Sequence, residues 1–260
     1  MNTTHRVLAL AAVSAISITS GAQAALLLQH TFDGGTASLN GTALDTNNIS
    51  ASTWVAGASG SYVDQNGNII ATNAAAAWVG LNGAITMGSA DDIFEVAMVA
   101  DKLGLNFDFQ GGFWGPAIPS VTGQHQWQSG TAFWRWQDNS VTAYAGAGLT
   151  GSISGSSALA NNAGPTLLTL RLDLTDATLT NNSFSLYLGD SATGTLVGSA
   201  TFSGDESFEE LGFSARVLGG NSGAQVTSLA LTQIPEPSSS TILLGLSAIA
   251  MTALGRRRKM

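Results

Sequence analysis

The sequence predicts an all-β protein: a two-sheet antiparallel sandwich of roughly a dozen short strands. Three observations carry this. Apolar residues recur at every second position through most of the chain, as in Leu168, Leu170, Leu172 and Leu174 with Thr169, Arg171 and Asp173 between them. Turn dipeptides such as Asn66-Gly67, Asn40-Gly41, Gly111-Gly112, Asp138-Asn139, Asn181-Asn182 and Gly219-Gly220 punctuate these runs. Between the two ends of the chain, no amphipathic pattern of period 3.6 extends beyond two turns.

The first element is a leader. Arg6 supplies a basic start, Val7 to Ile18 an apolar stretch with Ser14 and Ser17 inside it, and Ala22-Gln23-Ala24 a small-x-small cleavage site. This is the secretory signal pattern, and cleavage after Ala24 leaves Ala25 as the mature start. The domain expected next spans residues 25–234. Its strands are Ala25 to Phe32, Ile69 to Thr72, Ala76 to Leu81, Ile93 to Ala100, Leu105 to Phe109, Thr131 to Gln137, Val141 to Ala145, Thr166 to Thr175, Ser183 to Leu188, Leu211 to Val217, and a last one from Val226 to Ile234. Asn66-Gly67 predicts a hairpin joining Tyr62-Val63 to Ile69-Ile70. The run from Gly146 to Gly164, rich in Gly, Ser, Ala and Asn, reads as a long loop.

Residues 235–260 form the third part. Pro235-Glu236-Pro237 is held extended by its prolines, which fix φ and lack a backbone donor. The following stretch, Ser238 to Gly255, has no charge. As a helix it would span roughly 27 Å, close to a hydrocarbon core of about 30 Å, and it reads as a single transmembrane helix. Arg256, Arg257, Arg258 and Lys259 close the chain and belong on the cytoplasmic side. Everything before Ser238 is then outside the cytoplasm.

This three-part tail resembles the PEP-CTERM sorting domain of Gram-negative bacteria. The resemblance implies recognition by an exosortase at Pro235, Glu236 and Pro237, an inner-membrane precursor, and delivery to the cell surface or an exopolysaccharide matrix. The body is similar to the concanavalin A-like and laminin-G-like jelly rolls found in such proteins. Thr31-Phe32-Asp33 closes the opening strand, and the stretch from Phe202-Ser203 through Ser207 to Phe213 matches the style of a penultimate strand in laminin-G-like domains. The resemblance implies that the first and last strands are neighbours.

Composition excludes several functions. Up to Ile234 the expected mature domain has four basic residues, Lys102, Arg135, Arg171 and Arg216, against sixteen acidic ones, a net charge of −12. Such a field repels nucleic acid. There is no cysteine, which rules out thiol catalysis, cysteine–zinc sites and iron–sulfur clusters. His30 and His125 lack a third partner for zinc, and His30 reads as a half-buried, satisfied side chain. No Gly-x-Ser-x-Gly elbow occurs in a strand-to-helix context.

Tryptophans carry the binding reading. Trp134 and Trp136 share one face of a strand, and Trp114 sits in a glycine-rich stretch. Such indoles either stack on the apolar faces of sugar rings or fill the core between sheets. Trp54 and Trp78 read as core. Asp91, Asp92 and Glu95 do not reproduce the alternate-position carboxylates of jelly-roll glucanases, and Asp205-Glu206 with Glu209-Glu210 form a second acidic cluster. Asp64 to Asn68 offers oxygen ligands for calcium but fails the EF-hand pattern at Ile69 and Ala75. Calcium enters only through the resemblance to lectin jelly rolls, and no residues are assigned to it. The reading is a non-enzymatic, exported surface or matrix protein that binds extracellular polysaccharide. A jelly-roll polysaccharide-cleaving enzyme and a purely structural matrix protein are the alternatives.

Overall fold

Alternating side chains make two apolar sheet faces, and burying both against each other generates the architecture. The computed structural model describes residues 24–56, 62–70, 74–85, 92–103, 107–114, 130–145, 152–161, 163–175, 182–202, 208–217 and 223–235. Ala25–Gln233 forms one compact unit. Its strands are β1 (Ala25–Thr31), β2 (Thr46–Asn47), β3 (Val55–Ala56), β4 (Tyr62–Val63), β5 (Asn68–Ile70), β6 (Ala74–Gly80), β7 (Asp92–Lys102), β8 (Phe107–Trp114), β9 (Gly130–Gln137), β10 (Ser140–Ala145), β11 (Ser152–Ala158), β12 (Thr166–Asp173), β13 (Asn182–Leu188), β14 (Thr195–Phe202), β15 (Glu210–Val217) and β16 (Ala224–Pro235).

They form two sheets. One has nine strands in the order β14-β13-β12-β7-β16-β1-β2, with β4 and β5 attached beside β16. The other has seven, in the order β11-β10-β9-β8-β15-β6-β3. The recorded strand pairs are antiparallel. No helix occurs among the described residues, and none there is long and apolar enough to cross a membrane. The expected apolar tail, residues 238–255, lies outside them.

The leucine ladder of β12 behaves as its period requires. Leu168, Leu170, Leu172 and Leu174 are buried, while Arg171 on the opposite face pairs with Glu95 at 2.8 Å. Facing them in the same core are Phe109, Phe113, Trp134 and Trp136 from the seven-stranded sheet. The first and last strands pair, with Ala25 opposite Gln233 and His30 opposite Leu229. The Asn66-Gly67 hairpin also forms: Val63 pairs with Ile69, and Gly67 takes φ 72°. At the β9–β10 turn, Asp138 and Asn139 both have positive φ, the two-residue geometry that matches strand twist.

Three expectations are corrected. The Gly146-to-Gly164 stretch is not one long loop, because Ser152–Ala158 is a strand paired with β10. Thr195–Phe202, not expected as a strand, pairs with β13. Gly111-Gly112 is not a turn but the middle of β8. Both unexpected strands are sheet edges. They meet across the sandwich so closely that a Cβ on Gly155 would fall 2.3 Å from the Val197 carbonyl oxygen. Small residues there let the two edges approach, which shields exposed strand donors and acceptors.

Candidate functional site

Alternation along the seven-stranded sheet creates a second face, away from the core, and its centre is buried as well: Phe133 is 0%, Trp114 1% and Tyr144 7% exposed. Leu211, Phe213 and Ala215 of β15 point into the core, so Glu210, Gly212 and Ser214 point away. Register extends this face across the sheet. Glu210 stands opposite Trp114 and Gly80; Gly212 opposite Gly112 and Trp78; Ser214 opposite Gln110 and Ala76. Gly112 in turn faces Phe133, which faces Tyr144. The central row therefore reads Trp78, Gly212, Gly112, Phe133, Tyr144. Two bare glycines lie between aromatic walls, about 14 Å apart at three strand spacings. Phe133 and Tyr144 stack at 5.1 Å with planes 6° apart. The glycines cannot be enlarged: a Cβ on Gly212 would lie 2.1 Å from the Ala77 carbonyl oxygen, and one on Gly112 2.5 Å from that of Ala132.

Polar groups flank this row. On one side Gln110 Nε2 donates to Ser214 Oγ at 2.7 Å, and Arg135 pairs with Asp108 at 2.7 Å. On the other side stand Glu210 and Trp114. Trp114 is 1% exposed, yet among the described residues its indole Nε1 has no hydrogen-bond partner, nor has Glu210 Oε2. Burial pushes the Glu210 carboxyl up to about 7, and the neighbouring Glu209 carboxylate adds to the shift. A buried donor and a buried acceptor without partners thus sit on directly opposed residues, whose Cβ atoms are typically about 5 Å apart.

The three tryptophans expected to bind glycan separate. Trp134 and Trp136 do share a face, but it is the core face. Trp134 packs edge-on against Phe109 at 5.1 Å, and Trp136 donates to the Leu159 carbonyl at 3.1 Å. Both are almost fully buried, so neither offers a surface to a sugar. Trp114 lies on the opposite face of the sheet and is buried there too. Trp78, read from sequence as core, is buried, on the same face of the sheet as Trp114. Trp54 is core, packed against Phe32 and Phe213.

The remaining candidates resolve individually. Asp64 is buried and accepts from the Asn66 and Asn68 amides and from Asn68 Nδ2, so its carboxylate shapes the turn. Among the described residues no group of three potential metal ligands gathers. His30 is buried rather than half-buried, with Nδ1 3.4 Å from Asp45 Oδ1 and, among the described residues, no hydrogen bond at that atom. Burial holds its imidazole below the usual value despite Asp45 and Asp33. Glu95 is held by Arg171 and Ser191. Ala24 is exposed just before β1, and Pro235 ends β16. Ala22, Glu236, Pro237, Arg256, Arg257, Arg258, Lys259, Asp205 and Glu206 lie outside the described residues.

The last strand, β16, ends at Pro235, where a family match is found. Residues 233–259 match the PEP-CTERM protein-sorting motif. The match begins inside β16, so fold and sorting motif share Gln233, Ile234 and Pro235. No curated protein sequence matches the chain. Among solved structures, the potassium-bound Emp46p carbohydrate recognition domain is similar with a TM-score of 0.49 at 13% identity, covering 75% of this chain and 95% of that one. The Ca2+-bound exoplasmic/lumenal domain of VIP36 gives 0.46 at 8% identity, covering 75% and 88%. The protein of unknown function SO2946 from Shewanella oneidensis MR-1 gives 0.38 at 14%, covering 86% and 83%.

Proposed function

We propose that the chain is an exported, non-enzymatic surface or exopolysaccharide-matrix protein, delivered through its C-terminal motif by an exosortase, whose folded domain binds extracellular glycan. The observation that carries the delivery is the sorting motif at residues 233–259, flush against the last strand. In this reading residues 1–24 are a signal peptide, residues 25–234 the delivered domain, and residues 235–260 the membrane-anchored sorting segment. The glycan part follows from that destination, because a domain delivered into an exopolysaccharide matrix is surrounded by glycan.

Polysaccharide cleavage is the weaker reading for a geometric reason. Glu210, with its raised pKa, suits a general acid, but hydrolysis needs a second carboxylate about 5 to 10 Å away. On the described part of its face of the sheet the other carboxylate is Asp108, at the far end of β8 from Trp114. Six residues of strand put it about 20 Å off, and Arg135 already pairs it.

Deleting residues 236–260 tests the delivery. The shortened chain keeps every described strand almost intact and should be exported, then lost to the medium. Undiminished surface or matrix retention would show that the tail does not direct it.

A further inference from the structure

We propose that Asn82 is a modification site, where the side-chain amide is spontaneously hydrolysed, because its Asn-Gly pair is the one that the fold leaves free to react. The sequence holds three such pairs: Asn40-Gly41, Asn66-Gly67 and Asn82-Gly83. At an Asn-Gly pair the glycine backbone nitrogen can attack the asparagine Cγ, since no side chain stands in the way. A new C–N bond closes a cyclic imide. The Cγ–Nδ2 bond breaks, and the glycine amide proton leaves with the nitrogen as ammonia. Water then opens the imide. Cleavage of the new bond gives aspartate, and cleavage of the original peptide bond gives isoaspartate, whose backbone is one methylene longer. The inference does not depend on the glycan reading.

Hydrogen bonding separates the three pairs. A glycine N–H that already donates is a poorer nucleophile, and a side chain held by its carbonyl oxygen cannot turn toward the backbone. Gly41 donates to the Trp54 carbonyl at 2.7 Å, and Asn40 Oδ1 accepts from the Ala56 amide at 3.1 Å. Gly67 donates to the Asp64 carbonyl at 2.9 Å, and Asn66 Oδ1 accepts from the Gly35 amide at 2.9 Å. Both pairs are therefore held at both reacting groups. Asn82-Gly83 is not. Among the described residues the Gly83 N–H has no hydrogen-bond partner, and Asn82 is held only through Nδ2, the leaving nitrogen, which donates to the Ser50 carbonyl. Asn82 and Gly83 are both exposed, and no atom outside the turn lies within 4 Å of a Cβ placed on Gly83. The base of the turn is fixed: Ala84 donates to the Leu81 carbonyl at 3.0 Å, and Leu81 and Ile85 are buried.

The product changes a neighbouring segment. Hydrolysis replaces the Nδ2 donor by a carboxylate oxygen, which repels the Ser50 carbonyl. Ser50 lies in a turn that Asn47 closes on Ala51 and that Ser52 ties to Gly80 at the end of β6. The reaction therefore removes one link between β6 and residues 47–52.

The test is peptide mapping by mass spectrometry of the full-length chain, purified in detergent and incubated at mildly acidic and at alkaline pH. Conversion to aspartate and isoaspartate should be faster at alkaline pH, where base removes the glycine amide proton. In the folded chain it should run at Asn82 about tenfold or more faster than at Asn40 or Asn66, where two hydrogen bonds must open first. In urea the three rates should converge. Asn82→Gln, whose longer side chain closes the ring less readily, should suppress the conversion. Equal rates at the three pairs of the folded chain overturn the proposal, as does an Asn82 that stays intact while the unfolded chain converts. Asn82→Asp, one of the two products, should lower the melting temperature, and an unchanged value overturns the link to residues 47–52.

Discussion

Glu210 is an acid whose environment favours its proton. Its folded-state value of about 7 stands above the ordinary 4.5 because the carboxylate is partly removed from water beside Glu209. A raised acid makes the folded state bind the proton more tightly. Its stabilising contribution is therefore complete below about pH 4.5 and is lost as pH rises to about 7. Allowing for the solvent the group still meets, the loss is about 1–2 kcal/mol. Glu210→Gln should abolish that slope in denaturant titrations at pH 5 and pH 8. An unaltered slope would mean that Glu210 ionises as an exposed acid does. The tryptophans show how far single residues can be read. That Trp134 and Trp136 share a face followed from their spacing, but which face was core did not. It was decided by the partners across the sheet, Phe109 and Leu159, which lie far away in sequence.

Among elements, strands with a continuous alternating ladder were legible and edge strands were not. β12 announces itself through its leucines, whose burial is set by the period alone. Leu170→Ala should cost about 2–5 kcal/mol, measured by urea unfolding, since it removes a fully buried side chain from between two sheets. A loss below about 1 kcal/mol would contradict its central place. β11 and β14 carry Ser, Ala, Gly and Thr at positions where central strands carry large residues. Their strand character comes from pairing and from their mutual approach at Gly155, neither of which a local pattern encodes. Gly155→Val should therefore destabilise the fold by about 1–3 kcal/mol or displace β14, because its side chain would meet the Val197 carbonyl. Melting temperature checks it, and an unchanged value would mean that the two edges are free to separate. The outward-facing row at Gly112 and Gly212 was hidden for a related reason: a Gly-Gly pair signals a turn unless its neighbours on both strands are known.

At the scale of the molecule, the start and the end of the compact unit are neighbouring strands, with Ala25 opposite Gln233. The compact unit thus begins and ends on adjacent interior strands of one sheet. Its excess of acidic residues and lack of cysteine suit a domain that folds by burial alone outside the cytoplasm, away from nucleic acid. The C-terminal motif was legible because a sorting signal is read as a linear segment beside the fold. The second face of the seven-stranded sheet was not, because it is assembled from strands brought together only by pairing. The most direct measurement is intact mass of the chain recovered from the cell-surface fraction. The account predicts a polypeptide starting at Ala25 and ending near Pro237. A full-length chain from Met1 to Met260, recovered folded from the cytosol, would contradict it.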